Sequence, residues 1–186
     1  MTSELEPAAV ITEFYTPGSK AFLVLIRHGR QVTEKSLRVA RNVESLSPDV
    51  VFIEQAAMLH DIGMIRTHTP VLGCYGRHPY VCHGILGREM LASLGFHGHA
   101  MVCERHVGTG LTATEIRRQG LPLPIRDMVP VTLEEKIIAY ADKFFSKHPE
   151  RQDGEIPFAD VIRDLERYGR RQVETFLSWA EMFGDR

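Results

Sequence analysis

Apolar positions along the chain recur mostly at helical intervals. Taken alone, the run at residues 22–26 suits a short strand or a buried helical turn equally well. It is read as helix because Val32, Val39, Ala40, Val43 and Leu46 follow at helical spacing until Ser47 and Pro48 break the pattern. Asp49 is placed to cap a second helix over residues 50–59, in which Ile53, Ala56, Ala57 and His60 share a largely apolar face, and Gly63 stands where a C-cap is expected. Residues 67–79 hold two prolines and two glycines and read as a loop in a position to form a lid. Pro79 then opens a helix to Leu94, closed by Gly95, with His83, Leu86, Met90, Leu91 and Leu94 on one stripe. A shorter helix over 99–107 presents Val102 and His106 four residues apart and stops at Gly108 and Gly110.

A weak helix from Thr112 to Gln119 follows, and the three prolines within 121–130 predict irregular backbone. Thr132 with Glu135 matches a capping box ahead of Leu133, Ile137, Ile138, Ala141 and Phe145, with Asp142 beside that buried face. Two amphipathic pieces, about 158–168 and 171–182, carry Val161, Leu165, Val173, Phe176, Leu177 and Trp179 as packing residues. At least six helical segments and no convincing strand pair predict an all-α fold with no sheet larger than a hairpin.

A chain of 186 residues suits one domain. The pattern divides it into an N-terminal extension at 1–19, loose as far as Pro17 and Gly18, a helical bundle at 20–147, and C-terminal packing helices at 148–186. Lys and Arg number 22 against 24 Asp and Glu, a formal charge of −2 with no like-charge block, so no nucleic-acid surface is indicated and the expected partner is a small molecule. Cys74, Cys82 and Cys103 form no CxxC pair and suit reduced core thiols. No export or membrane-insertion signal is read, so the expected location is cytoplasmic; nothing in the sequence sets an oligomeric state.

Six residues of metal-ligand type, His28, His60, Asp61, His83, His106 and Asp142, fall on or beside apolar helical stripes. Neighbours on a helix point about 100° apart, so the adjacent His60 and Asp61 can serve one cluster best near a helix end. Imidazoles offer neutral nitrogen donors, and a carboxylate with two oxygens can bridge two cations while offsetting their charge, which makes Asp61 the candidate bridge. Each residue alone has a structural explanation: a hydrogen-bonded histidine, a salt-bridged carboxylate, a dipeptide met by chance. The ensemble outweighs these. His97 and His99 are read as solvent-facing structural residues and His148 as inert.

The order His28, then Leu59-His60-Asp61-Ile62-Gly63, then Asp142 at the end of Glu134-Glu135-Lys136-Ile137-Ile138-Ala139-Tyr140-Ala141-Asp142, resembles the H, HD, D signature of HD-domain phosphohydrolases of the HDIG subclass. The resemblance covers roughly residues 20–147, and the run from Glu104-Arg105-His106 to Gly110 is similar to that of a little-characterised branch. It implies that His28, His60, Asp61 and Asp142 hold one metal, and that His83 and His106 hold a second with Asp61 as bridge. Met64 stands where several two-metal relatives carry lysine, so their substrates, cyclic dinucleotides in particular, are not carried over.

The function expected from this is hydrolysis of a phosphoester of a small molecule or nucleotide by a hydroxide on a pair of divalent ions, with Fe or Mn ahead of Ni, Zn or Mg, and with Asp61 as the catalytic carboxylate. Arg66, Arg105 and Lys136 are the candidate substrate-binding cations, from a wider set that includes Arg77, Arg88 and Lys143. The alternatives are a di-iron oxygenase on the same ligands and a nucleotide-sensing module that binds without turnover.

Overall fold

A computed structural model describes residues 5–151 and 154–185. Among them nine α-helices are joined by short 3-10 turns: α1 (Pro7–Phe14), α2 (Lys20–Asn42), α3 (Val50–Leu59), α4 (His83–Ser93), α5 (His97–Arg105), α6 (Ala113–Gln119), α7 (Leu133–Asp142), α8 (Phe158–Glu166) and α9 (Arg170–Phe183). The fold is all-α. The one sheet found is a hairpin of two-residue strands, β1 (His68–Thr69) and β2 (Cys74–Tyr75), paired antiparallel with His68 opposite Tyr75.

Local chemistry sets the helix starts, at Asp49, Thr112 and Thr132 where the pattern predicts them. Asp49 accepts from the Phe52 N–H to open α3, Ser19 accepts from Phe22 to open α2, and complete capping boxes at Thr112–Glu115 and Thr132–Glu135 open α6 and α7. The ambiguous run 22–26 is helical, being the first turns of the 23-residue α2. Pro79 opens a 3-10 turn, Tyr80–Cys82, and α4 itself begins at His83.

Three expectations change. The N-terminal extension is not loose from residue 5 on: α1 packs Val10 and Ile11 into the interior, and Tyr15 Oη donates to the Ile62 carbonyl at 2.9 Å while accepting from the Ile65 N–H at 3.0 Å. Gly63 is not a C-cap. It lies in a 3-10 turn, Ile62–Arg66, where a Cβ would stand 2.1 Å from the His83 carbonyl and 2.2 Å from the Gly87 amide, so only glycine lets α4 pass this close. The loop at 67–79 is tied down: Thr67, Leu72 and Cys74 are buried, and backbone bonds such as His68 N–H to His78 O at 2.8 Å close it on itself.

The interior falls into two apolar clusters. One joins α1, the first half of α2, the end of α3, and α4 through Ile11, Tyr15, Leu25, Leu59, Ile62 and Leu91. The other joins the second half of α2, α3, α7, α8 and α9 through Val39, Ile53, Ile138, Tyr140, Phe176 and Trp179; of the packing residues expected on the C-terminal helices, Leu177 is instead exposed. His28 sits on α2 between Leu25 of the first cluster and Val32 of the second, which puts the polar groups at the seam.

Candidate metal centre

Helix ends supply most of the centre. His60 and Asp61 immediately follow α3, His83 is the first residue of α4, His106 follows α5, Asp142 is the last residue of α7, and only His28 comes from mid-helix. All six are buried. The last turn of a helix leaves carbonyls without intrahelical donors, and the histidines use them. His60 Nδ1 lies 2.6 Å from the Ala57 carbonyl and His106 Nδ1 2.8 Å from that of Cys103; His83 Nδ1 lies 2.7 Å from the Tyr80 carbonyl in the preceding turn. A carbonyl can only accept, so each Nδ1 carries a proton and each Nε2 turns a lone pair inward.

Those lone pairs meet Asp61. Its Oδ2 lies 3.2 Å from His28 Nε2 and 3.1 Å from His60 Nε2, while its Oδ1 lies 3.2 Å from His83 Nε2 and 3.4 Å from His106 Nε2. Asp142 Oδ1 joins the first set, 2.8 Å from His28 and 3.4 Å from His60. The six residues therefore form two groups, His28–His60–Asp61–Asp142 and Asp61–His83–His106, with Asp61 in both and the donor atoms of each group within 4.8 Å of one another.

This cluster is unsatisfied as it stands. Both Asp61 oxygens and His60 Nε2 are buried without an aligned hydrogen-bond partner. His83 Nε2 and His106 Nε2 face each other at 3.0 Å, although each ring has already spent its proton on a carbonyl. Buried polar atoms without partners cost about 1–3 kcal/mol each, and opposed lone pairs at this distance repel. A cation in each group relieves both, so the donor set fits divalent metal ions.

Protonation follows the same logic. Burial drives His83 down to about 3, against the pull of Asp61, and it also lowers His106, which leaves both rings neutral as ligands must be. Burial opposes charge on His60 too, but in the cation-free protein Asp61 and Asp142 overcome it and raise the ring to about 9, so His60 Nε2 has a lone pair to offer only once a bound cation displaces that proton. Burial likewise opposes charge on Asp61, yet His60 and Lys147 hold its carboxyl well below the usual range. Asp142, also buried, is held low chiefly by Lys143 and Lys147.

The lysines complete the site. Lys143 Nζ lies 2.7 Å from Asp142 Oδ2, which leaves Oδ1 for the centre, and donates to the His106 carbonyl at 3.4 Å. Lys147 Nζ lies 2.7 Å from Asp61 Oδ2. Both line a cavity of about 450 Å³ that reaches His83, His106 and Asp142, walled by Val81, Val107, Leu111, Leu121 and Leu165.

Arg66, Arg105 and Lys136, the cations expected to bind substrate, do not line this cavity. Arg105 is engaged by both oxygens of Glu135 at 2.7 and 3.0 Å, and Arg66 is half exposed with Glu89 at 3.9 Å. Lys147 went unread because it follows α7 in irregular backbone, where no period marks a direction; its nearness to Asp142 in sequence was the only signal. His97 and His148 are exposed, and His99 packs on Phe52, outside the centre. All three cysteines are buried thiols.

No helix among the described residues is long and apolar enough to cross a membrane. The chain is 36% identical over 148 residues to an uncharacterised protein of Methanocaldococcus jannaschii, covering 77% of this chain and 76% of that one. It is also 33% identical over 124 residues to a tRNA (cytidine(56)-2'-O)-methyltransferase of Picrophilus torridus, and 31% over 123 residues to that of Thermoplasma volcanium. Each of those matches covers 66% of this chain but only 32% of the methyltransferase, so the chain spans about a third of those relatives. The model of the HD domain matches residues 25–146, the stretch that holds all six residues of the centre, and on that match the chain belongs to the HD-domain family.

Proposed function

We propose that the chain is a metal-dependent phosphohydrolase that holds two divalent cations on His28, His60, Asp61, Asp142, His83 and His106 and cleaves a phosphoester of a small molecule or nucleotide. The observation that carries this reading is the division of Asp61: one oxygen faces each group of histidines, and each group has converging donor atoms. Cations held there would supply Lewis acidity toward a phosphoryl oxygen and would acidify a water for attack. Asp61 and Asp142 offset the charge of two dications. The carbonyls of Ala57, Tyr80 and Cys103 keep three imidazoles aimed and in the tautomer that ligates. Lys143 turns Asp142 so that one oxygen faces inward. The leucine and valine walls of the cavity exclude bulk water and favour a compact organic body on the phosphate.

The test is metal analysis of anaerobically purified protein followed by a phosphatase panel with Mn²⁺ or Fe²⁺. About two ions per chain, turnover that chelator abolishes, and phosphate release are the expected results. Oxygen uptake with no phosphate from any ester would favour the di-iron oxygenase alternative, and binding without turnover a sensor. The two relatives named as tRNA methyltransferases motivate a second reading, in which the phosphoester belongs to an RNA. Including tRNA beside mononucleotides in the panel separates the two.

A further inference from the structure

Lys147 occupies the place in the centre where a cation belongs. Its ammonium lies 2.7 Å from Asp61 Oδ2 and 3.8 Å from Asp142 Oδ1, the two carboxylate oxygens that face His28 and His60, and its side chain is only 14% exposed. An ammonium and a dication cannot share that position without strong repulsion. The two lysines at the site are anchored differently. Lys143 caps α7 and is tied to both Asp142 and the His106 carbonyl, whereas Lys147 comes from irregular backbone after α7 and its ammonium is held by the carboxylates of the centre and by Tyr80. Lys147 also lines the cavity beside His83 and His106, and among the described residues no arginine does.

We infer that Lys147 exchanges partners: it neutralises Asp61 in the cation-free protein, yields that carboxylate to the incoming metal, and then turns into the cavity to bind a phosphoryl oxygen of the substrate. The inference rests on the phosphoester reading for the identity of the anion. Lys147 is thereby a substrate-binding residue, and the ammonium that competes with the metal in one state neutralises the phosphate in the other. No bond is made or broken in the exchange.

Two measurements test it without turnover. Calorimetric titration of metal-stripped protein with Mn²⁺, and of Mn²⁺-loaded protein with inorganic phosphate, compares wild type with Lys147→Met, Lys147→Gln and Lys147→Arg. Removing the competing charge should tighten Mn²⁺ by about fivefold or more and weaken phosphate by about tenfold. Lys147→Arg should keep phosphate affinity close to wild type. Unchanged or weaker Mn²⁺ binding in both neutral variants, or unchanged phosphate binding, overturns the exchange. Acetylation of the Lys147 amine, followed by mass spectrometry on wild-type protein, needs no variant to fold. It should be slow without metal, faster with Mn²⁺, and slow again when phosphate is added; equal rates in all three states overturn the proposal. If these results hold while no ester is hydrolysed, the phosphohydrolase reading fails and the exchange stands. Turnover with no change at Lys147 does the reverse.

Discussion

Two buried polar regions of this protein, about equally hidden from water, are organised in opposite ways. Around Gln172 every group is paired. Gln172 Oε1 accepts from the Thr109 amide at 2.6 Å and hydroxyl at 2.8 Å, and its Nε2 donates to the Gly110 carbonyl at 2.9 Å. Next to it Arg171 binds both Glu115 oxygens, at 2.9 and 2.7 Å, and Glu115 closes the α6 capping box. At the Asp61 centre both Asp61 oxygens and His60 Nε2 lack an aligned hydrogen bond, and the Nε2 atoms of His83 and His106 face each other. The first region is complete and fastens α9 to the glycine-rich turn after α5. The second leaves converging donor atoms that could hold cations. Burial alone does not separate structural from functional polar residues; hydrogen-bond satisfaction does.

The largest effect should follow from breaking the unsatisfied region at its shared residue. Asp61→Asn keeps the side-chain volume but removes the charge and one oxygen acceptor facing the metals. Turnover should fall by about 10³-fold or more and both ions should be lost, while circular dichroism shows the helices intact. Near wild-type metal content would remove Asp61 from its bridging role. Next, His83→Ala and His106→Ala should each release about one ion and cost at least about 10–100-fold in activity, with the His28 and Asp142 site still occupied. Full metal in both variants would make those histidines structural and the site mononuclear.

The satisfied region should respond in stability instead. Gln172→Leu strands the Thr109 amide and hydroxyl and should destabilise the fold by about 2 kcal/mol, read as a lower urea midpoint, with metal stoichiometry unchanged. A loss of metal in this variant would show that the two regions are coupled. The smallest effect concerns acid. Burial pushes the Glu115 carboxyl up, but the bonds from Arg171 and Thr112 outweigh it and hold the group below its ordinary value. A carboxyl lowered on folding contributes fully above the unfolded carboxylate range and loses that contribution as pH falls through the folded value. Glu115→Gln should therefore be less stable than wild type at neutral pH by about 1 kcal/mol or less, and the gap should close in acid. A gap that widens in acid reverses the sign and refutes the assignment.

The helices and most of the centre were legible in the chain because both depend on local period and on end chemistry. Asp49, Thr112 and Thr132 cap within three residues of themselves, and the stripes through His83 and His106 face inward because their apolar neighbours do. The ligands could be read as a set because each lies on or next to such a stripe. Gly63 could not be read, since what demands glycine is the backbone of α4, twenty residues later in sequence. The order in α1 was hidden for a similar reason: its anchor is the 3-10 turn after Asp61, which Tyr15 clasps from fifty residues away.

The sequence by itself determined the helical class, the starts of α3, α6 and α7 and the inventory of ligand-type side chains, because hydrophobic period and capping act over a few residues. Tertiary structure alone decided which oxygen of Asp61 faces which histidines, and that Glu135 takes Arg105 while Lys147 reaches the centre. Charge pairing acts through space over a few ångströms, between residues whose separation in the chain carries no period to read.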